Sequence, residues 1–365
     1  WRNELRNNIS TVEQLKQYTR LTARECKKIQ KITEKHPMSI TKYYASLMQD
    51  RKSFNNDPIK RMIIPQLSEL NLQGSYDTSG EMENTKMPGF QHKYSQTALI
   101  LTTNKCASYC RYCFRKRLLG IPTEETLKRF GDALKYIKEH KEINNILISG
   151  GDPLILSTRI LENFLEKLTP IEHIRFIRFG TKIPVVFPTR IIEDRTLLDM
   201  FRHYSRKDKR IYIVTQFNHS KEITKESTMC IDKLLKAGTI VNNQTVLLRG
   251  VNDNPETISE LQNNLVSIGV GPYYVFQCRP VKRVKLLYQV PLLRGYHIIE
   301  DAKKELNGHS KRFKFIMSHR TGKIEIIGIK DNYFIFKYHQ AKNPKNLGKI
   351  FMKPVNKTAG WLDDL

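Results

Sequence analysis

The chain has 365 residues, 39% of them hydrophobic, which is enough for one large globular unit or two. It holds no uninterrupted apolar run of bilayer-spanning length and no charged-then-apolar leader, so no membrane partner is expected and a reducing cytoplasm is the expected compartment. The 62 Lys and Arg against 36 Asp and Glu give a net charge of +26, spread along the chain rather than gathered in one arm; this reads as a solvated basic surface that favours anionic small molecules, and a nucleic-acid partner is not expected.

Residues 1–60 read as helical. Leu15, Tyr18, Leu21, Cys26 and Ile29 form an approximate helical stripe, and Thr22 with Glu25 fits a capping box. Leu70 to Gly89, with Gly74, Ser75, Gly80 and Pro88, reads as an irregular connection. From Thr97 short apolar strands alternate with amphipathic helices. Strands are predicted at Ala98–Thr102, Asn145–Ser149, Ile174–Phe179, Ile211–Gln216, Ile240–Leu248 and Tyr273–Cys278, with helices near 124–140, 157–168, 194–204, 221–237 and 254–268. Six β-then-α units argue for a parallel sheet with right-handed crossovers, and a barrel and an open doubly wound sheet both fit the pattern. Lys311–Met317 reads as a further strand, leading into Ser318-His319-Arg320-Thr321-Gly322-Lys323. Residues 331–355 carry Lys337, Lys342, Lys345, Lys349 and Lys353 among aromatics and read as a tail that wraps the domain or joins a subunit contact. This organisation divides the chain at about residues 90 and 280: a helical region over 1–90, a barrel over 91–280 and a C-terminal region over 281–365.

Just after the first predicted strand come Cys106, Cys110 and Cys113, in a C-x3-C-x2-C spacing. Three thiolates can hold three irons of a [4Fe–4S] cube and leave the fourth open, whereas electron-transfer clusters close every iron with a fourth cysteine. A zinc site usually takes four ligands, often as two Cys pairs, and here Cys26, Cys230 and Cys278 are scattered. The run resembles the cluster motif of radical S-adenosylmethionine (SAM) enzymes. That resemblance implies a [4Fe–4S] cluster whose open iron chelates SAM, an electron donor of flavodoxin or ferredoxin type, and a 5′-deoxyadenosyl radical that removes an unactivated hydrogen. It also selects the fold: an α/β, partial (β/α)6 TIM-like barrel with a helical N-terminal extension and a C-terminal segment. The cluster loop then lies at the strand C-termini, the face where barrels place their active sites.

A closer resemblance, to the lysine 2,3-aminomutase family, runs from about residue 9 to residue 279. It is carried by Pro37-Met38-Ser39-Ile40-Thr41-Lys42-Tyr43-Tyr44, His92-Lys93-Tyr94, the cysteine run, Gly150-Gly151-Asp152, Thr181-Lys182-Ile183-Pro184-Val185-Val186, Phe217-Asn218-His219 and Asn243-Gln244-Thr245-Val246-Leu247-Leu248-Arg249-Gly250-Val251-Asn252-Asp253. It implies a pyridoxal 5′-phosphate (PLP) enzyme, an isomerase that moves an amino group from Cα to Cβ of a free amino acid and that assembles as a homo-oligomer. On the matching positions, Gly150, Gly151, Asp152, Gln216 and Gln244 would contact SAM, with Gln216 standing where the lysine enzymes have a His. Lys323 would anchor PLP, Lys93 and Tyr94 would approach its phosphate, and Arg115 would clamp the substrate α-carboxylate.

The departures are informative. The family's glycine run before the PLP lysine is reduced to Thr321-Gly322, and Thr97 stands where the lysine enzymes carry an Arg. The lysine enzymes hold the substrate's distal ammonium with two aspartates, and on that register this chain has Arg279 and Ile316. An arginine repels an ammonium and suits a carboxylate, so the expected substrate is an amino acid other than lysine, with glutamate first. The competing expectation is a radical SAM enzyme of the same family that acts on another amino acid, a peptide or a protein without a 2,3-amino shift.

Overall fold

The computed structural model describes residues 1–48 and 57–365. Residues 49–56, part of the region expected to be helical, lie outside the described residues. Twelve strands form one sheet in chain order: β1 (Thr85–Met87), β2 (Phe90–Tyr94), β3 (Thr97–Leu101), β4 (Asn145–Ser149), β5 (Phe176–Gly180), β6 (Ile211–Thr215), β7 (Ile240–Leu247), β8 (Gly271–Gln277), β9 (Lys314–His319), β10 (Gly322–Lys330), β11 (Tyr333–Ala341) and β12 (Ile350–Pro354).

Strands β3 to β9 pair in parallel throughout. Their apolar residues alternate or run together as a sheet buried on both faces requires, and the connection between each pair carries a helix that covers the outer face. The helix Thr158–Leu168 shows why these segments coil. Leu161, Phe164, Leu165 and Leu168 recur at three- and four-residue intervals and are all buried. Side-chain caps start several of these helices, with Asp194, Thr224 and Asn254 each accepting a backbone N–H of the first turn. The expected capping box at Thr22 and Glu25 opens the helix Ala23–Thr33.

The sheet is curled, because one cavity is lined by residues of every strand from β2 to β11. It does not close, since β1 and β12 stand at opposite ends of the strand order. The fold is therefore a partial α/β barrel. The six expected β-then-α units are β3 to β8 with the helices that follow them, and the further strand expected at Lys311–Met317 is β9, which continues the parallel set beside β8. The segment read as an irregular connection ends in a short helix, Glu81–Asn84, and in β1. The basic tail supplies two more strands, β11 and β12, antiparallel beyond β10. Pairing runs without a break past residues 90 and 280. No helix among the described residues is long and apolar enough to cross a membrane.

Candidate active site

The cluster loop leaves β3 at the C-terminal rim, and Cys106, Cys110 and Cys113 line the cavity. Burial pushes all three thiols up, Cys113 to about 11, so a metal that binds them must displace protons. Their sulfurs do not crowd together as ligands of one shared ion would; among the described residues only His92, His140 and Glu142 approach each other so closely. Separation suits a cube, in which each thiolate meets a different iron.

The N-terminal extension holds this loop. Asn8 Nδ2 donates to Ala107 O at 2.7 Å, Tyr109 N to Ser39 O at 2.8 Å and Arg111 N to Met62 O at 2.8 Å. The fully buried Glu69 receives Arg111 at 2.8 and 2.6 Å and Lys116 Nζ at 2.6 Å. Burial by itself would raise Glu69, but the two cations outweigh it and hold the carboxyl down at about 2.

The turn after β4 meets the loop from the other side. Gly150 has φ of +125°, and a Cβ on Gly151 would stand 2.1 Å from Lys105 O. Gly151 N donates to Thr103 O at 2.5 Å and Asp152 N to Lys105 O at 2.8 Å. The nearest requirement for glycine is thus the cluster loop's own backbone, in addition to any ligand the turn faces. Asp152 lines the cavity, but its carboxylate is committed to the protein: it accepts Thr181 Oγ1 at 2.7 Å, Lys182 N at 2.7 Å and Leu154 N at 3.1 Å. Burial raises it to about 6 against those bonds.

Gln216 and Gln244 face the same cavity from β6's end and from β7. Behind Gln216 lies a polar network that the sequence reading did not single out. Lys182 Nζ donates to Glu222 Oε1 at 2.7 Å and to Gln216 O at 2.9 Å, and Tyr112 OH donates to Gln216 Oε1 at 3.2 Å.

The far side holds Lys323. It is the second residue of β10, and its Nζ lies 5.1 Å from the Tyr274 ring centroid and 5.7 Å from that of Tyr94. Its Nζ has no hydrogen bond or ion pair among the described residues. Burial, helped by Arg178, Arg279 and Lys93, pushes its ammonium down to about 7. Lys93 is likewise lowered to about 7, chiefly by burial, and donates to Ser79 O and His319 O at 2.8 and 2.7 Å.

Three arginines gather around Glu81 at the rim, and Arg117 also pairs with Glu125 at 2.7 Å. Arg115 Nε and Nη2 reach Glu81 Oε1 at 3.2 and 3.1 Å, and Arg117 Nη2 reaches Glu81 Oε2 at 2.7 Å. Burial would raise Glu81, but Arg115, Arg117 and Arg279 hold it at about 2. Arg279 stacks 4.1 Å from the Phe114 centroid, and among the described residues its side chain donates only to the hydroxyls of Ser79 and Ser318, at 2.9 and 3.0 Å. Burial lowers it to about 10, which leaves it charged at neutral pH. Ile316 is buried in β9 and is absent from the cavity wall. Ile316 apart, the cavity gathers the candidate site residues of the sequence, and it adds Ser79, Glu81, Arg178 and Ser318. Ser79 and Glu81 lay in a stretch read as irregular and gave no signal. Arg178 gave one: it is the charged member of Phe176-Ile177-Arg178-Phe179-Gly180, an otherwise apolar strand.

Three thiols on one rim loop, braced by a glycine turn, open on a cavity of about 340 Å³, and the Radical SAM superfamily model matches residues 100–261. The donor set fits an iron–sulfur cube with an iron left for SAM. The chain is 42% identical to a putative L-lysine 2,3-aminomutase of Aquifex aeolicus (strain VF5), over 93% of this chain and 90% of that one. It is 35% identical to the L-lysine 2,3-aminomutase of Clostridium subterminale, over 99% and 85%. Against the glutamate 2,3-aminomutase of Clostridioides difficile (strain 630) the identity is 36%, over 78% and 67%. The chain belongs to the lysine 2,3-aminomutase family of radical SAM enzymes.

Proposed function

We propose that this protein is a PLP-dependent 2,3-aminomutase that moves the amino group of a free α-amino acid from Cα to Cβ, and that glutamate rather than lysine is its substrate. One observation carries the reading: an amine with no hydrogen bond or ion pair among the described residues, Lys323, stands in the same cavity as the three cluster thiols. When bound, SAM on a reduced cluster supplies a radical able to abstract an unactivated hydrogen, and PLP supplies a conjugated system that spreads an unpaired electron.

The residues divide the work. Cys106, Cys110 and Cys113 hold the cluster. The Gly150-Gly151 turn, Gln216 and Gln244 offer hydrogen-bonding edges to SAM, and Asp152 positions that turn against Thr181 and Lys182. Lys323 presents a partly neutral amine near pH 7, as a lysine that attacks a carbonyl must. Tyr94 presents a ring face beside it, with the Lys93 amine over the same ring. Arg115 takes the α-carboxylate through its Nη1 side, whose present bonds, 3.2 Å to Gly150 O and 3.4 Å to Ser149 Oγ, are long enough to yield. Arg279 takes the distal carboxylate. Arg279 has only serine hydroxyls as hydrogen-bond partners among the described residues, so its charge is open to an anion, and a lysine ammonium would meet repulsion there.

The test is anaerobic turnover of glutamate carrying ¹⁵N at the α-position, with lysine in parallel. ¹⁵N bonded to C3 in the product, read by NMR, with lysine unchanged, is the expected result. Conversion of lysine but not glutamate would overturn the substrate assignment.

A further inference from the structure

We propose that Arg178 is the guanidinium that grips the phosphate of the cofactor bound at Lys323. The inference rests on the PLP reading above and adds a binding residue to it.

The argument begins with an anomaly in the barrel wall. Leu99 of β3 pairs with Leu147 of β4, and Leu147 with Arg178 of β5, so one row across three strands reads apolar, apolar, charged. All three side chains line the cavity. Barrel layers are filled by branched apolar side chains, and a guanidinium taken out of water without a counter-ion is costly. Arg178 has no carboxylate partner among the described residues. Its Nε donates to Asn145 Oδ1 at 2.8 Å, which fixes the plane of the group, and its two Nη atoms have no partner among those residues.

Apart from Lys323 itself, the other cations on the cavity wall each have hydrogen-bond or ion-pair partners. Lys182 is on Glu222, Arg115 on Glu81, Lys93 on two backbone carbonyls and Arg279 on two serines. That leaves Arg178 as a planar, two-pronged donor with nothing to hold, a shape that matches phosphate oxygens.

Place selects the anion. Arg178 is close enough to Lys323 to depress its ammonium more than any other charged neighbour does. An aldehyde carbon within reach of Lys323 carries its phosphate only a methylene away from the adjacent ring carbon. The carboxylates of an amino acid have Arg115 and Arg279 at the rim, beside the cluster loop where hydrogen is abstracted. Arg178 lies two residues before the end of β5, below that rim. An anchor there keeps the unreactive end of the cofactor away from the reacting carbons.

The experiment uses the full chain with its cluster reconstituted. PLP and pyridoxal, the same aldehyde without phosphate, are titrated separately, and the lysine adduct is read by absorbance and by borohydride trapping with mass spectrometry. Wild type, Arg178→Gln and Arg178→Lys are compared at matched iron content and thermal midpoint. The expected result is a loss of about tenfold or more in PLP affinity for Arg178→Gln, an intermediate loss for Arg178→Lys, and no change for pyridoxal. Equal losses for both aldehydes would make Arg178 merely structural and overturn the inference. Unchanged PLP affinity with a raised KM for the amino acid would assign Arg178 to a substrate carboxylate and overturn it as well. A wild type that forms no adduct with either aldehyde would overturn the PLP reading and this inference together.

Discussion

Lys323 and Arg279 are two buried cations whose chemistry departs from their ordinary behaviour in water. Lys323 is held near 7 by burial and by cationic neighbours, and only its neutral form attacks an aldehyde. The rate of PLP uptake should therefore rise as pH climbs through about 7 and level off above it; a stopped-flow pH profile that kept rising toward about 10, as for an ordinary lysine, would contradict this site. Lys323→Ala should abolish the borohydride-trapped adduct while leaving iron content unchanged. Arg279 is buried with hydroxyls rather than a carboxylate as partners, so Arg279→Ala should lower kcat/KM for glutamate by about thirtyfold or more, with most of the loss in KM. An equal fall for every amino acid tested would mean that the residue only supports the fold.

At the scale of elements, the cluster loop is held between the N-terminal extension and the β4 turn. Gly151→Ala would drive a methyl group into Lys105 O and should cost about 1–3 kcal/mol of stability, seen as a lower thermal midpoint, together with faster loss of iron. Much of this architecture was legible in advance. The β/α alternation and the cysteine spacing placed the parallel strands and the loop, since both are local patterns of period and position. The segment before β1 was not legible. Ser79 and Glu81 reach the cavity through contacts with Arg279, Arg115 and Arg117, which lie far away in the chain, and no periodicity marks such residues. The glycine turn was legible as a place of close approach, but its nearest neighbour is the protein's own loop rather than a ligand. Arg178 was visible as a charge within an apolar strand. What it faces depends on how the sheet curls, and that is not written in the strand itself.

For the molecule as a whole, two buried carboxylates tie the N-terminal part of the chain to the barrel: Glu69 to Arg111 and Lys116, and Glu81 to Arg115 and Arg117. Both are lowered from 4.5 to about 2 in the folded protein. A carboxyl depressed by folding adds stability that is present above its ordinary value and is lost as pH falls toward the folded one. The thermal midpoint should thus drop between about pH 4.5 and 2, and Glu69→Gln should both flatten that limb and destabilise the neutral-pH protein by about 3–5 kcal/mol, because Arg111 and Lys116 would stay buried without their charge partner. A midpoint indifferent to acid over that range would mean that these pairs contribute nothing. One measurement addresses the proposed reaction. The anaerobically reconstituted protein, loaded with iron, sulfide and PLP, is given dithionite, SAM and an equimolar mixture of the twenty amino acids, and the products are read by mass spectrometry. The account predicts 5′-deoxyadenosine together with β-glutamate formed at the expense of glutamate. SAM cleavage with all twenty amino acids left unisomerised would contradict it.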